Sequence, residues 1–157
     1  MSCDVAVAAF LMFASGPQGG HAPTLVPAVA AQAPVASEPL FKDIVGRAGK
    51  LKAEVGDYRK ALGAAGAPVA LPQFDAFRAE IGQLSVLDEQ GHMLLKQRGS
   101  DGDLTCILHG ISQDLGLKLA AVAAAKTGHD QDLALRDMAY LLNDNIEVIT
   151  APPAPPV

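Results

Sequence analysis

The sequence predicts an all-α protein, an antiparallel up-down-up-down four-helix bundle with proline-rich flanks. Three observations lead to this prediction. Only 4% of the 157 residues are aromatic and Trp is absent, so the core must be mainly aliphatic, which suits packed helices better than strands. Between residues 40 and 151, proline occurs only at positions 68 and 72, which leaves long stretches free of helix breaks. Apolar residues in those stretches recur at spacings of three and four, as on one face of a helix.

Four apolar stripes follow one another along the chain. The first consists of Phe41, Ile44, Ala48, Leu51, Val55, Tyr58 and Leu62. The second consists of Phe74, Phe77, Ile81, Leu84, Leu87, Leu94 and Leu95. The third consists of Leu104, Leu108, Ile111, Leu115, Leu119 and Val122, and the fourth of Leu135, Met138, Leu142, Ile146 and Ile149.

The connections between the stripes are short. We expect Gly99 to end the second helix, residues 100–103 to start the third, and Gly128 to end the third. Connections of about two to ten residues favour antiparallel neighbours in a bundle. In that topology the first and fourth helices are adjacent, and the net positive charge of the first would suit the net negative charge of the fourth.

The two ends of the chain differ from the middle. Residues 5–14 form an unbroken apolar run, and Gly20, His21 and Ala22 supply small residues at a possible cleavage site. We therefore expect a secretory signal at 1–22, a Pro/Ala-rich linker at 23–39, the bundle at 40–150 and a proline-rich tail at 151–157. The run is shorter than the roughly 20 residues of a membrane span, so a periplasmic or secreted protein without a stable membrane anchor is expected. The first four residues lack Lys and Arg and include Asp4, which leaves a cytoplasmic protein as the alternative.

Composition and motifs exclude several classes of function. A net charge of -5 gives no electrostatic reason to expect nucleic acid as a partner. The chain has no phosphate-binding loop, hydrolase triad or zinc-protease motif, which argues against an enzyme. Covalent haem attachment would need a second cysteine in the segment 105–109, and Met138 has no evident inward histidine opposite it for non-covalent haem. We therefore expect no cofactor.

Four residues are weak candidates for metal ligands: Asp88, His92, Cys106 and His109. Each helix contributes a pair about one turn apart, and the turn at Gly99 brings the two pairs to a similar level. If cleavage removes Cys3, Cys106 cannot form an internal disulfide, and it is then a bridge to another chain, a metal ligand or an inert packing residue. The helical wheel aims Cys106 and His109 away from the apolar stripe, which favours two exposed histidines over a metal site.

Small residues mark a second candidate region, an interface on the first helix. Gly46, Gly49, Ala53 and Gly56 lie away from the apolar stripe, and each glycine destabilises a helix by roughly 0.8 to 1 kcal/mol relative to alanine. Close approach of a partner helix or a second copy would offset this, and self-association could bring Cys106 to its symmetry mate. The alternative is compositional drift in a chain rich in Ala and Gly.

These observations predict an exported, non-catalytic helical-bundle binding or scaffolding protein, with protein partners or self-association and an unknown ligand. One alternative is a metal-handling bundle that uses His92, Cys106 and His109. Another, if the chain is not exported, is a phosphotransfer-like signalling module with His109 as phosphoryl acceptor. The Lys and Gly that commonly follow the histidine in such domains are Ser112 and Gln113 here.

Overall fold

The computed structural model describes residues 34–62, 66–99 and 102–151. Four long helices make up most of this part: α1 (Pro39–Ala61), α2 (Phe74–Gln97), α3 (Asp103–Ala124) and α4 (Gly128–Thr150), with a 3-10 turn at Val35–Ser37 before them. The prediction of an all-α four-helix bundle is confirmed. The predicted signal, most of the linker and the proline-rich tail lie outside the described residues. Within those residues, every helix is too short or too polar to cross a membrane.

Helix ends follow local chemistry with two departures from the sequence prediction. Gly99 ends α2 with a positive φ of 71°, a conformation that favours glycine. Gly128 does not end α3, which stops at Ala124; it is instead the first residue of α4. The Thr127 hydroxyl accepts a hydrogen bond from the Asp130 backbone N–H at 3.0 Å, so this cap fixes the start of α4. Gly102 is the N-cap of α3, without a side-chain cap bond.

The core follows the predicted apolar stripes, and it continues through polar residues that the prediction left out. The α2 stripe runs on through Asp88 and Gly91, and the α4 stripe runs through Asn145. A Cβ atom on Gly91 would come within 3.2 Å of Phe41 and 3.3 Å of Leu108, so a larger residue there would require these side chains to shift by a few tenths of an ångström. The largest fully buried side chains are Phe41, Phe77, Ile44, Leu51, Ile81, Leu84, Leu108, Leu115, Leu135, Met138, Leu142 and Ile149.

Each helix packs against two others. Helix α1 lies against α2 and α4, and α3 lies against the same two helices. In the described part of the chain, the diagonal pairs make no close backbone contact. Side-chain pairs join α1 to α4 in opposite directions along the two helices, through Lys52 with Asn143 and Arg59 with Asp132. The predicted contact between the basic first helix and the acidic fourth therefore exists.

Candidate metal centre

A cluster of three metal-ligating side chains lies at the interface of α2 and α3. It consists of Glu89 and His92 from α2 and His109 from α3, and one ligand atom from each lies within 4.8 Å of the other two. Glu89 and His92 are three positions apart, so they share one face of α2. The rings of His92 and His109 face each other across the interface, with centroids 4.8 Å apart. The bundle thus places two imidazoles and one carboxylate side by side.

Backbone packing orients His92. Its Nδ1 lies 2.8 Å from the carbonyl oxygen of Thr105 on α3. Because a carbonyl oxygen can only accept, Nδ1 carries the proton in this contact and Nε2 carries the lone pair. The interaction is half-buried. His92 is therefore held by the main chain of the facing helix, with one nitrogen available as a ligand.

His109 and Glu89 form a polar network that reaches the surface. His109 Nδ1 lies 2.8 Å from Glu89 Oε2, and the two side chains are 44% and 42% exposed. The Ser112 hydroxyl lies 3.2 Å from the same carboxylate oxygen, and the Gln113 amide nitrogen lies 2.8 Å from His109 Nε2. The hydrogen bond from His109 lowers the pKa of Glu89, and Ser112 adds to the effect. Glu89 is therefore an anionic ligand at neutral pH.

This donor set matches a divalent transition metal. Imidazole and carboxylate ligands suit zinc, nickel, copper and iron, whereas calcium and magnesium prefer all-oxygen sites. A tetrahedral zinc ion about 2.1 Å from its ligands needs ligand atoms roughly 3.3 Å apart. Glu89 and His109 are already that close, and rotation of these half-exposed side chains can close the remaining gap. With an ion bound, the carbonyl of Thr105 would serve as the outer partner that metal-bound histidines usually have.

No protein-family model, curated protein or solved structure matches this chain. The ligand of the cluster is therefore inferred from the geometry of its side chains.

Asp88, one of the predicted candidates, is not part of the cluster. It is fully buried in the core and accepts a hydrogen bond at 2.9 Å from the Asn145 side-chain amide of α4. Burial raises the pKa of Asp88 to about 7, against a smaller lowering by Asn145. The second oxygen of each side chain has no hydrogen-bond partner among the described residues. A proton on Asp88 converts one carboxylate oxygen from an acceptor into a donor.

Cys106 also differs from the prediction. It lies on α3 one turn before His109 and is disulfide-bonded in the structure. The prediction of a cysteine without an internal disulfide assumed cleavage after Ala22, which would remove Cys3. Cys3 itself lies outside the described residues. A disulfide sulfur is not a thiolate ligand, so the cluster consists of Glu89, His92 and His109 alone.

The predicted interface stripe on α1 is open within this chain. A Cβ atom on Gly46, Gly49 or Gly56 would have no neighbour within 4 Å, and Ala53 is exposed. No close approach within the described bundle therefore explains these glycines. The interface itself stays a prediction.

Sequence reasoning missed Glu89, Thr105 and the contacts of Ser112 and Gln113. One signal could have identified Glu89. The α2 stripe of 77, 81, 84, 91 and 95 keeps its alternation of three and four only if position 88 also faces the core. Glu89, one residue further, then turns by about 100° onto the flank, where it meets α3. Met138, considered for haem, is fully buried in the core.

Proposed function

We propose that this protein is a non-catalytic helical bundle that binds a divalent transition-metal ion, with zinc as the reference ion, through Glu89, His92 and His109. The convergence of the three ligand atoms from two helices carries the proposal. Three protein ligands leave coordination positions for water or a further ligand. The proposal therefore assigns one class of ligand, divalent transition-metal ions, to the binding protein that the sequence predicts.

Two further features support metal binding over a plain interhelical ion pair. The Thr105 carbonyl fixes the tautomer of His92, as an outer partner does in metal sites. Glu89 is also kept ionised by its neighbours, so the site supplies negative charge to a cation. An ion pair needs only Glu89 and His109 and gives no role to the second imidazole.

Zinc and cobalt titrations test the proposal directly. Zinc is titrated by calorimetry in competition with a chelator of known affinity, and cobalt(II) is followed by its visible absorption, which reports coordination number. We expect one ion per chain. Replacement of a ligand, as in His92→Ala, His109→Ala or Glu89→Gln, should weaken binding more than about 100-fold, because outer partners alone are worth about 10- to 100-fold.

His129 provides a matched control. It is an exposed histidine in the first turn of α4 and does not belong to the cluster. His129→Ala should therefore bind zinc like the wild type. Equal affinity in all of these variants, or no binding by the wild type, would refute the proposal.

A second candidate function is phosphoryl acceptance by His109. The observation that favours it is the carboxylate of Glu89 on Nδ1 of a half-exposed imidazole. This contact holds the proton on Nδ1 and places the lone pair on Nε2, which can act as the nucleophile once the Gln113 amide turns away from it. Incubation with acetyl phosphate, followed by phosphorus NMR, tests for an acid-labile phosphohistidine that is lost in His109→Gln. A wild-type chain that stays unmodified argues against this function and leaves metal binding intact.

Export is a separate proposal that rests on the apolar run at residues 5–14 and the small residues before Pro23. N-terminal sequencing of native protein should give a chain that begins near Pro23. A native cytoplasmic chain that retains Met1 would refute export and would favour the phosphoryl-acceptor role.

A further inference from the structure

The two histidines of the metal centre are held in different ways. The Thr105 carbonyl holds His92 with the proton on Nδ1, and this fixed partner has no donor end. His109 instead lies between the Glu89 carboxylate at Nδ1 and the Gln113 amide nitrogen at Nε2, both at 2.8 Å. The carboxylate accepts and the amide nitrogen donates, so the neutral ring carries its proton on Nδ1. The lone pair of His109 therefore lies on Nε2, on the side away from Glu89.

A metal ion bound by Glu89 Oε2 and His109 Nδ1 needs the opposite tautomer, with the proton on Nε2. The Glu89 oxygen lies 2.8 Å from Nδ1, so an ion held by these two atoms would take the place of the hydrogen bond between them. Nδ1 must then lose its proton to the solvent while Nε2 takes one up. The ring stays neutral, so the exchange releases no net proton from His109.

We infer that Gln113 supports metal binding as the outer partner of His109, turning its carboxamide to follow the change of tautomer. This inference rests on the proposed metal-binding function. Glutamine suits the role because its carboxamide has a donor end and an acceptor end, and its terminal torsion turns easily. The amide nitrogen faces Nε2 in the metal-free protein, and a half-turn presents the carbonyl oxygen to the Nε2 proton when metal is bound. Gln113 is exposed and touches the ring, so it is a positioning residue.

Substitutions that remove one or both polar ends of the carboxamide test the inference. Gln113→Glu can accept but not donate, so it should favour the metal-binding tautomer. Gln113→Leu can do neither, and we expect it to weaken zinc binding by about 10- to 100-fold, as for loss of an outer partner. Gln90→Glu controls for the added negative charge, because Gln90 is exposed beside Glu89 on α2. Gln113→Glu should bind zinc at least as tightly as Gln90→Glu.

Long-range proton–nitrogen NMR spectra show which nitrogen of each imidazole carries the proton. A purely structural role of Gln113 would not change this. Both rings should carry the proton on Nδ1 in the metal-free wild type. In the zinc form, His109 should carry it on Nε2 and His92 should keep it on Nδ1. Wild-type zinc affinity in Gln113→Leu, or coordination through Nε2 of His109, would overturn the inference while leaving the metal site in place. Failure of the wild-type chain to bind zinc would instead overturn the proposed function, and the inference with it.

Discussion

Two interfaces of the bundle use polar side chains in different ways. The α1–α4 interface carries long charged side chains at its edge, such as Arg59 and Asp132, which pair at 2.8 Å and are 38% and 40% exposed. The α2–α3 interface carries shorter polar groups, and one of them, His92, is anchored by the Thr105 carbonyl of the facing helix. Exposed long side chains lose entropy on pairing and are screened by salt. A group anchored by the facing backbone holds its geometry, and among the described residues the candidate ligand site lies at the α2–α3 interface.

The two interfaces share a core, and a charge placed there should have the largest effect. Leu51 of α1 and Leu115 of α3 are almost fully buried. Leu51→Asp and Leu115→Asp should each abolish the cooperative thermal transition seen by circular dichroism, because an unpaired buried charge costs several kcal/mol against a total stability of about 5 to 15 kcal/mol. Leu117→Asp is the control, since Leu117 is 68% exposed. Native melting of both core variants would show that Leu51 and Leu115 do not face the core.

The Asp88–Asn145 pair connects the two interfaces across the bundle and predicts a pH dependence of stability. Burial raises the pKa of Asp88 to about 7 from an ordinary value of 3.8. Between these pH values the folded chain holds a proton that the unfolded chain has lost. The contribution of Asp88 to the free energy of unfolding should therefore be highest below about pH 4, fall by on the order of a few kcal/mol as the pH rises to about 7, and level off above it.

Denaturant unfolding across this pH range, with a chelator present, measures the effect. Asp88→Asn should remove the decline, because an amide cannot ionise. Asp144→Asn, which changes an exposed acid of α4, should keep it. A decline of the same size in Asp88→Asn would assign it to other groups.

Zinc should stabilise the fold through the α2–α3 interface alone. At a free zinc concentration 100 times the Kd, binding to the folded chain adds about 2.7 kcal/mol, and the Tm should rise by roughly 5 to 15 °C. Arg59→Ala, which alters only the α1–α4 interface, should keep this rise, whereas Glu89→Gln should lose it. A Tm rise of equal size in Glu89→Gln would place the ion elsewhere.

The smallest effect is expected at the α1–α4 edge. A double-mutant cycle of Arg59→Ala and Asp132→Ala should give a coupling energy of about 0.2 to 1 kcal/mol. The coupling should shrink in high salt because both groups are more than one-third exposed. A coupling above about 2 kcal/mol, unchanged by salt, would show that Arg59 and Asp132 are not the weak, screened ion pair that their exposure indicates.

The sequence by itself determined the four helices and most of the core. The alternation of three and four from Phe41 to Tyr58 puts each of those apolar residues inside, because helical geometry is local and burial of apolar area dominates folding. The stop at Gly99 follows from a backbone conformation that glycine alone adopts easily.

Only the tertiary structure decided which polar residues meet. Asp88 and Glu89 are adjacent acids on one helix, yet Asp88 pairs with Asn145 in the core and Glu89 contacts His109 at the surface. One residue turns a helix by about 100°, so the outcome depends on how α2 is rotated against α3 and α4. That rotation is set by packing among residues far apart in sequence, such as Gly91 against Phe41 and Leu108. Helical spacing describes one helix at a time and contains no information about such contacts.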